Sequence, residues 1–276
     1  MTTIIKIGGA SGIIPDAICD DLRGRRAVVL VHGGSDATNR LSTQLGHPPR
    51  MVQSPSGQWS RLTDRTTLEI FAQATALQNR LLVERLQARG IPAIGLSGID
   101  GRVVQAQRKE SVRIVENGRI RIVRDQWTGR PSGVNRSLLR TLLGEGYLPV
   151  IAPIGCGARG ERLNVDGDRV AAKIAAELRA TRLLLMTNVP GLLADPEDPG
   201  SLIRSVRADA LEPARAAAQG RMRKKVLAAE EALEAGVEQV VIASSNAASP
   251  VTDALAGQGT VFRQAAPRAA ARELEA

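Results

Sequence analysis

Aromatic side chains are nearly absent: two Phe, two Trp and one Tyr are all that 276 residues contain. The core must therefore be filled by Leu, Ile, Val and Ala, which suits helices packed on an aliphatic sheet. A surface that stacks unpaired bases on rings is disfavoured for the same reason. Cysteine is scarce too. Cys19 and Cys156 are isolated, with no CxxC pair, so no disulfide framework exists, and a reducing, cytoplasmic compartment is the simplest expectation. No run approaches the roughly eighteen consecutive apolar residues of a membrane span. The opening MTTIIKIGGA carries a lysine and runs straight into glycines. It reads as a first strand and not as a signal peptide.

Lysine is also rare, five residues among 37 basic ones, and the remaining 32 are arginine. With a formal charge of +9, an anionic partner, nucleic acid or mere compositional bias all fit. Eight basic residues fall between Arg102 and Arg130, where a functional basic surface and an ordinary solvated face are both open readings. Hydrophobic residues make 43% of the chain and charged residues 24%, as in globular proteins generally.

Apolar runs of strand length alternate with helical patterns. Strands are expected at 4–7, 27–31, 93–96, 147–152, 182–186 and 239–243, and helices at 36–45, 66–89, 135–143, 168–178 and 222–234. The long helix has Thr63 and Asp64 as candidate caps, with Gly90 and Pro92 beyond its end. Two segments break this rhythm: 51–62, turning at Pro55-Ser56-Gly57, and 112–123, where Glu116-Asn117-Gly118 separates alternating runs. Asn-Gly in that position predicts a hairpin. The whole reads as an α/β protein with a mostly parallel, helix-covered sheet and hairpins at its edge. The Ala-, Arg- and Glu-rich end, 264–276, reads as a frayed tail.

Six short segments can carry chemistry. Lys6-Ile7-Gly8-Gly9 ends the first strand. A lysine beside free backbone N–H groups is a phosphate site in physical terms, but the same glycines also make a tight turn. His32-Gly33-Gly34-Ser35 ends the second strand, at the sheet edge where ligands bind in this architecture. There His32 reads better as a loop-holding hydrogen-bond group than as an acid–base group. Arg61 in RLTD offers a fork suited to a carboxylate. Asn164-Val165-Asp166-Gly167-Asp168 precedes a helix, where capping explains much of it; the later ligands of a calcium loop are absent. Thr187-Asn188-Val189-Pro190-Gly191-Leu192 is a strand end and turn that fits a nucleotide's sugar or base. Gly220-Arg221-Met222-Arg223-Lys224-Lys225 puts lysines near a helix N-terminus, a local electrostatic cost that an anionic ligand would offset.

Taken in order, KIGG, HGGS, RLTD, NVDGD, TNVPGLL and GRMRKK resemble the amino-acid kinase family, in its acetylglutamate-kinase-like branch, from Lys6 to about Phe262. The resemblance implies a three-layer α-β-α sandwich over 1–263. Its part up to about 160 would bind the amino acid or carrier, and 161–263 the nucleotide. It implies phosphoryl transfer from ATP with Mg²⁺, held mainly by the nucleotide phosphates, to a carboxylate. On that pattern Lys6 and Lys225 are the transition-state lysines and Asp168 holds them. Gly33, Gly34, Arg61 and Asn164 grip the substrate. Gly8, Gly9, Thr187, Asn188, Gly191, Leu192 and Met222 form the nucleotide side, with no protein metal site. Ser35 replaces a common third glycine, and WSRLTD, GLSGIDG and the arginine-rich 108–129 segment resemble kinases acting on α-aminoadipate attached to a small acidic amino-carrier protein, in lysine biosynthesis. Carrier-bound glutamate is a related substrate. The arginines at 102, 108, 113, 119, 121 and 124, with Lys109, would then meet the carrier. N-acetylglutamate kinase and a non-catalytic regulator on the same fold are the alternatives, and a nucleic-acid binder would rest on charge alone. A homodimer is implied. Asn188 stands where many relatives have Asp, and Gly167 where Ala is common.

Overall fold

The computed structural model describes residues 1–264, so the tail expected beyond them lies outside the described residues. One eight-stranded sheet organises the chain. Its strands are β1 (Thr3–Ile7), β2 (Val28–His32), β5 (Ala93–Ser97), β10 (Leu148–Ala152), β13 (Arg182–Thr187), β14 (Ser205–Arg207), β15 (Gln239–Ser244) and β16 (Thr260–Arg263). They lie in the order β14-β16-β15-β13-β1-β2-β10-β5. Every pairing is parallel except β15 with β16. The six longer strands were legible as apolar runs; β14 and β16 have no pattern of their own and take their place from pairing.

Alternation along each strand divides the core in two. Ile4, Val29, Val31, Leu183, Leu185 and Ile242 face α4 (Arg136–Gly144), α5 (Gly167–Leu178), α6 (Glu212–Ala217) and α7 (Met222–Glu234). Ile5, Ile7, Leu30, Leu184, Met186 and Val241 face α1 (Pro15–Asp21), α3 (Arg65–Gln87) and α8 (Pro250–Leu255). A further helix, α2 (Ser35–Gln44), packs on α3. The result is an α-β-α sandwich, and burial on both faces explains why the strands read as continuous apolar runs. Caps fix the helix starts. Asp64 accepts from the Thr67 N–H at 2.7 Å, Asn135 from that of Leu138 at 3.1 Å, and Asp166 from those of Asp168 and Arg169.

Two smaller β elements were only partly foreseen. β3 (Met51–Gln53) and β4 (Trp59–Arg61) form one expected hairpin, and β7 (Ser111–Glu116) and β8 (Arg119–Arg124) the other. The second turns through Asn117 and Gly118 with φ of 50° and 72°, the left-handed pair that a two-residue hairpin turn needs. What no local pattern announces is that Gln53 pairs with Val115, joining both hairpins into one sheet, β4-β3-β7-β8. Nor does the sequence announce the closed four-stranded barrel of β6 (Val104–Arg108), β9 (Thr128–Val134), β11 (Ile154–Cys156) and β12 (Arg162–Val165). Among the described residues no helix is long and apolar enough to cross a membrane.

Leu30 is fully buried in the middle of β2. Leu30→Ala should cost about 2–5 kcal/mol of unfolding free energy, read as a lower urea midpoint with an unchanged slope. An unshifted midpoint would contradict this packing.

Candidate active site

Ile7 pairs with His32 in register, so the loops after β1 and β2 leave the sheet side by side at its carboxyl edge. Their backbones then touch. A Cβ on Gly9 would lie 2.4 Å from the Gly34 nitrogen, and one on Gly33 would lie 2.4 Å from the Gly9 nitrogen. The Gly9 carbonyl accepts from the Asp36 N–H at 2.9 Å and the Ser35 hydroxyl at 2.8 Å. The two glycine pairs are thus one two-ply floor and not independent turns. His32 supports it from beneath. Its Nδ1 donates to the Gly33 carbonyl at 2.8 Å, and its Nε2 accepts from the Asn79 amide at 3.2 Å. Burial above all, with Lys6 adding to it, pushes the His32 pKa down from 6.5 to about 4. The ring is neutral and structural, as the sequence suggested.

Over this floor, Lys6 and Lys225 converge on one carboxylate. Lys6 Nζ lies 2.8 Å from Asp168 Oδ1, and Lys225 Nζ lies 3.0 and 3.2 Å from the two Asp168 oxygens. All three residues are buried, each 6% exposed. Burial alone would raise the Asp168 pKa, but the two ammoniums outweigh it and hold the carboxyl well below its usual range. One carboxylate cannot compensate two buried cations. Burial, reinforced by Lys6, takes Lys225 down from 10.5 to about 8 despite Asp168. The cluster is left one positive charge in excess.

The cluster opens on a cleft of about 720 Å³. Six cations line it (Lys6, Arg61, Lys109, Arg221, Lys224, Lys225) against two carboxylates, Asp166 and Asp168. Such a lining suits anionic ligands. Arg61 donates through Nη2 to the Ser35 carbonyl at 2.9 Å and to Asn39 Oδ1 at 2.7 Å, while its buried Nε has no partner. Burial, and then Arg221, lowers its pKa from 12.5 to about 10. Asn164 is held by its own Nδ2 donating to the Thr63 hydroxyl at 3.0 Å, and β-pairing sets it beside Thr128. Gly8, Gly9, Gly33, Gly34, Thr187, Asn188 and Met222 line the same cleft. Gly191 and Leu192 do not: Leu192 is 1% exposed in the core and donates its N–H to the Thr260 hydroxyl at 2.8 Å. Among the described residues no cluster of three His, Cys, Asp or Glu side chains is placed to hold a metal.

Sequence reasoning missed Asn39, Lys109, Thr128 and Arg221 as cleft residues. Thr128 is revealed only by strand register. Arg221 lay inside a quoted motif but was read past in favour of Met222 and Lys225. The basic cluster divides as well. Arg113, Arg119, Arg121 and Arg124 are exposed on the β7–β8 hairpin, whereas Arg108 stacks 3.8 Å from the Trp127 ring and donates to the Gln126 carbonyl at 2.8 Å. Arg108 is an internal brace.

Known proteins resemble this chain in sequence and in fold. A sequence profile described as the Amino acid kinase family matches residues 1–244. The LysW-aminoadipate kinase of Deinococcus radiodurans is 51% identical over 263 residues, covering 94% of this chain and 90% of its own. The LysW-aminoadipate kinase of Thermus thermophilus is 45% identical, covering 94% and 99%. The acetylglutamate kinase of Methanopyrus kandleri is 36% identical, covering 94% and 99%. Among solved structures, the N-acetylglutamate synthase of Neisseria gonorrhoeae superposes with a TM-score of 0.77 at 24% identity, over 96% of this chain and 60% of that longer one. Carbamate kinase from Giardia lamblia superposes with a TM-score of 0.65 at 17% identity, covering 96% and 98%. These two likenesses bear on fold alone.

His32 binds a proton in the unfolded chain below its ordinary pKa of 6.5, but in the folded protein only below about 4. Stability should therefore fall as pH drops through that window, by at most about 1.4 kcal/mol per pH unit from this group. Urea midpoints measured across that window should show a steeper slope for the wild type than for His32→Gln. Parallel profiles would mean that His32 is not buried neutral.

Proposed function

The chain belongs to the amino acid kinase family, and on that premise we propose that it transfers the γ-phosphoryl of ATP to the side-chain carboxylate of α-aminoadipate, or of glutamate, attached to a small acidic amino-carrier protein. The product is an acyl phosphate in lysine biosynthesis, with arginine biosynthesis as the counterpart for glutamate. The observation that carries this reading is the meeting of Lys6 and Lys225 on Asp168 beside the glycine floor.

Phosphoryl transfer asks a protein for position and charge neutralisation and for little covalent chemistry. Lys6 and Lys225 neutralise oxygens of the migrating phosphoryl, and Asp168 holds both ammoniums in place. Gly8 and Gly33 commit their N–H groups to the Met186 and Ile7 carbonyls, at 3.0 and 2.9 Å, and so hold the floor in place, while the Gly9 and Gly34 backbone meets phosphate and reacting carboxylate. The acceptor is anionic at neutral pH, so no general base is needed, and His32 is free to be structural. Arg61, Asn164 and the Gly33-Gly34 backbone grip the amino-acid end. Thr187, Asn188 and Met222 line the nucleotide side, and Gly191 and Leu192 anchor that turn in the core. Mg²⁺ bound to ATP supplies further charge neutralisation. On this reading the metal arrives on the nucleotide's phosphate oxygens, and the cleft lysines neutralise the charge that remains.

The sheet order supports a division of labour at about residue 160. Four strands from Arg182 onward form one half of the main sheet, and four earlier strands form the other. Arg61, on β4, belongs to the earlier part of the chain, and Thr187 on β13 and Met222 on α7 belong to the later part. The carrier docks on the joined hairpins. Trp59 and Met51 are 53% and 45% exposed at the cleft, and Ile120 and Ile122 are 54% and 61% exposed on β8 among its arginines. Apolar anchors ringed by positive charge suit an acidic partner. A homodimer in the cytoplasm completes the reading.

N-acetylglutamate kinase is the second reading, favoured by the 36% identity to the Methanopyrus kandleri enzyme. The carrier-dependent relatives are more similar, and the exposed basic hairpin is unneeded for a small free substrate. A non-catalytic regulator would have no use for two buried lysines held on one aspartate.

Purified protein should phosphorylate carrier-bound aminoadipate or carrier-bound glutamate in the presence of MgATP. Turnover of free N-acetylglutamate alone would reject the proposal. Lys6→Ala and Lys225→Ala should each lower kcat by about 100- to 1,000-fold, with the fold retained by circular dichroism. Normal kcat in both variants would rule out the assigned chemistry.

A further inference from the structure

Arg61 and Arg221 line one cleft from two segments far apart in the chain. Arg61 comes from β4, and both neutral acceptors it holds, Ser35 O and Asn39 Oδ1, leave its charge uncompensated. Its buried Nε has no partner. Arg221 stands immediately before α7, at its N-cap position, its side chain caps nothing, and among the described residues it makes no ion pair. The two segments touch. Arg223 Nη1 donates to the Ser56 carbonyl at 3.4 Å, and a Cβ on Gly57 would lie 3.0 Å from that same nitrogen. The tip of the β3–β4 hairpin therefore rests against the start of α7. Arg221 is near enough to Arg61 for its charge to be felt there.

Two guanidiniums lining one cleft repel unless an anion lies between them. A carboxylate satisfies both, because each fork can donate to its own oxygen. The phosphates are not that anion. Lys6 and Lys225 gather at Asp168, and the nucleotide side runs along Thr187 and Asn188, whereas Arg61 sits over the start of α2, at the amino-acid end.

We infer that Arg221 is a second arm for the α-carboxylate of the amino-acid substrate, sharing it with Arg61 to form a clamp between the two sides of the cleft. The inference rests on the kinase reading above and adds a specificity residue to it. It also ties recognition to chemistry, because Arg221 stands four residues before Lys225. An α-carboxylate that draws Arg221 toward Arg61 draws the start of α7, with its lysine, over the acceptor.

Steady-state kinetics on wild type, Arg221→Gln and Arg221→Lys test it, with carrier-linked aminoadipate and with the carrier-linked analogue that lacks the α-carboxylate. Arg221→Gln should raise KM for carrier-linked aminoadipate about 10- to 100-fold and leave KM for MgATP within about twofold. Arg221→Lys should recover part of the loss. The wild type should discriminate strongly against the decarboxylated analogue, and Arg221→Gln should discriminate about tenfold less, with Arg61 still in place. Equal discrimination by both proteins, or a rise in KM for MgATP instead, would overturn the clamp while leaving the kinase assignment intact. A wild type inert toward the carrier-linked acid would overturn both.

Discussion

One buried carboxylate receiving two ammoniums is the interaction on which the rest of the molecule depends. Asp168 stands at the first turn of α5, Lys6 on β1 and Lys225 in the first turn of α7. Of those three elements α5 is the middle one, packed against both β1 and α7. Removing the carboxylate would leave two largely buried cations uncompensated at the base of the cleft, a costly arrangement by the usual penalty for buried charge. With it present the cluster still carries an excess positive charge. That excess is an unfavourable feature of the resting fold and, in the function proposed above, a favourable one once phosphate arrives. Local instability of this kind is what a site built for anion transfer has to accept.

The glycine floor follows from the same demand. Two parallel strands ending in register bring two loops to one place, and only chains without Cβ can then lie backbone on backbone. A side chain on Gly9 or Gly33 would push the two plies of the floor apart. The His32–Asn79 pair beneath it fixes a neutral imidazole tautomer and ties the floor to α3 and to the β10 carbonyl of Val150. Rigidity is supplied from below and openness from above.

Much of this was legible before any coordinates. Six strands and the principal helices announced themselves as apolar runs between glycines and caps, because a sheet buried on both faces leaves a continuous hydrophobic signal. The two lysines and Asp168 were legible as members of ordered motifs, although nothing local says that positions so distant along the chain share one oxygen. What stayed hidden depends on long-range pairing. Two of the barrel strands, β11 and β12, are only three and four residues long, and β9 is interrupted by two glycines and a proline, so their pattern dissolves. The joining of the hairpins rests on the single cross-pair of Gln53 with Val115. Gly191 and Leu192 read as ligand-facing in a motif, yet lie against Thr260, a neighbour supplied by a strand too short to recognise. Arg108 belonged by charge to the exposed cluster, and only its stacking on Trp127 removes it from that group.

The sheet order has a consequence for how the chain is made. β1 lies at the centre, with β2 on one side and β13 on the other, and its partners in β13 begin only at Arg182. On the ribosome the first strand can pair along one edge almost at once, while its other edge stays bare until that later strand has emerged. For most of synthesis the future heart of the sheet is an apolar strand with unmet backbone hydrogen-bonding groups, the sort of surface that chaperones bind and that neighbouring nascent chains can capture.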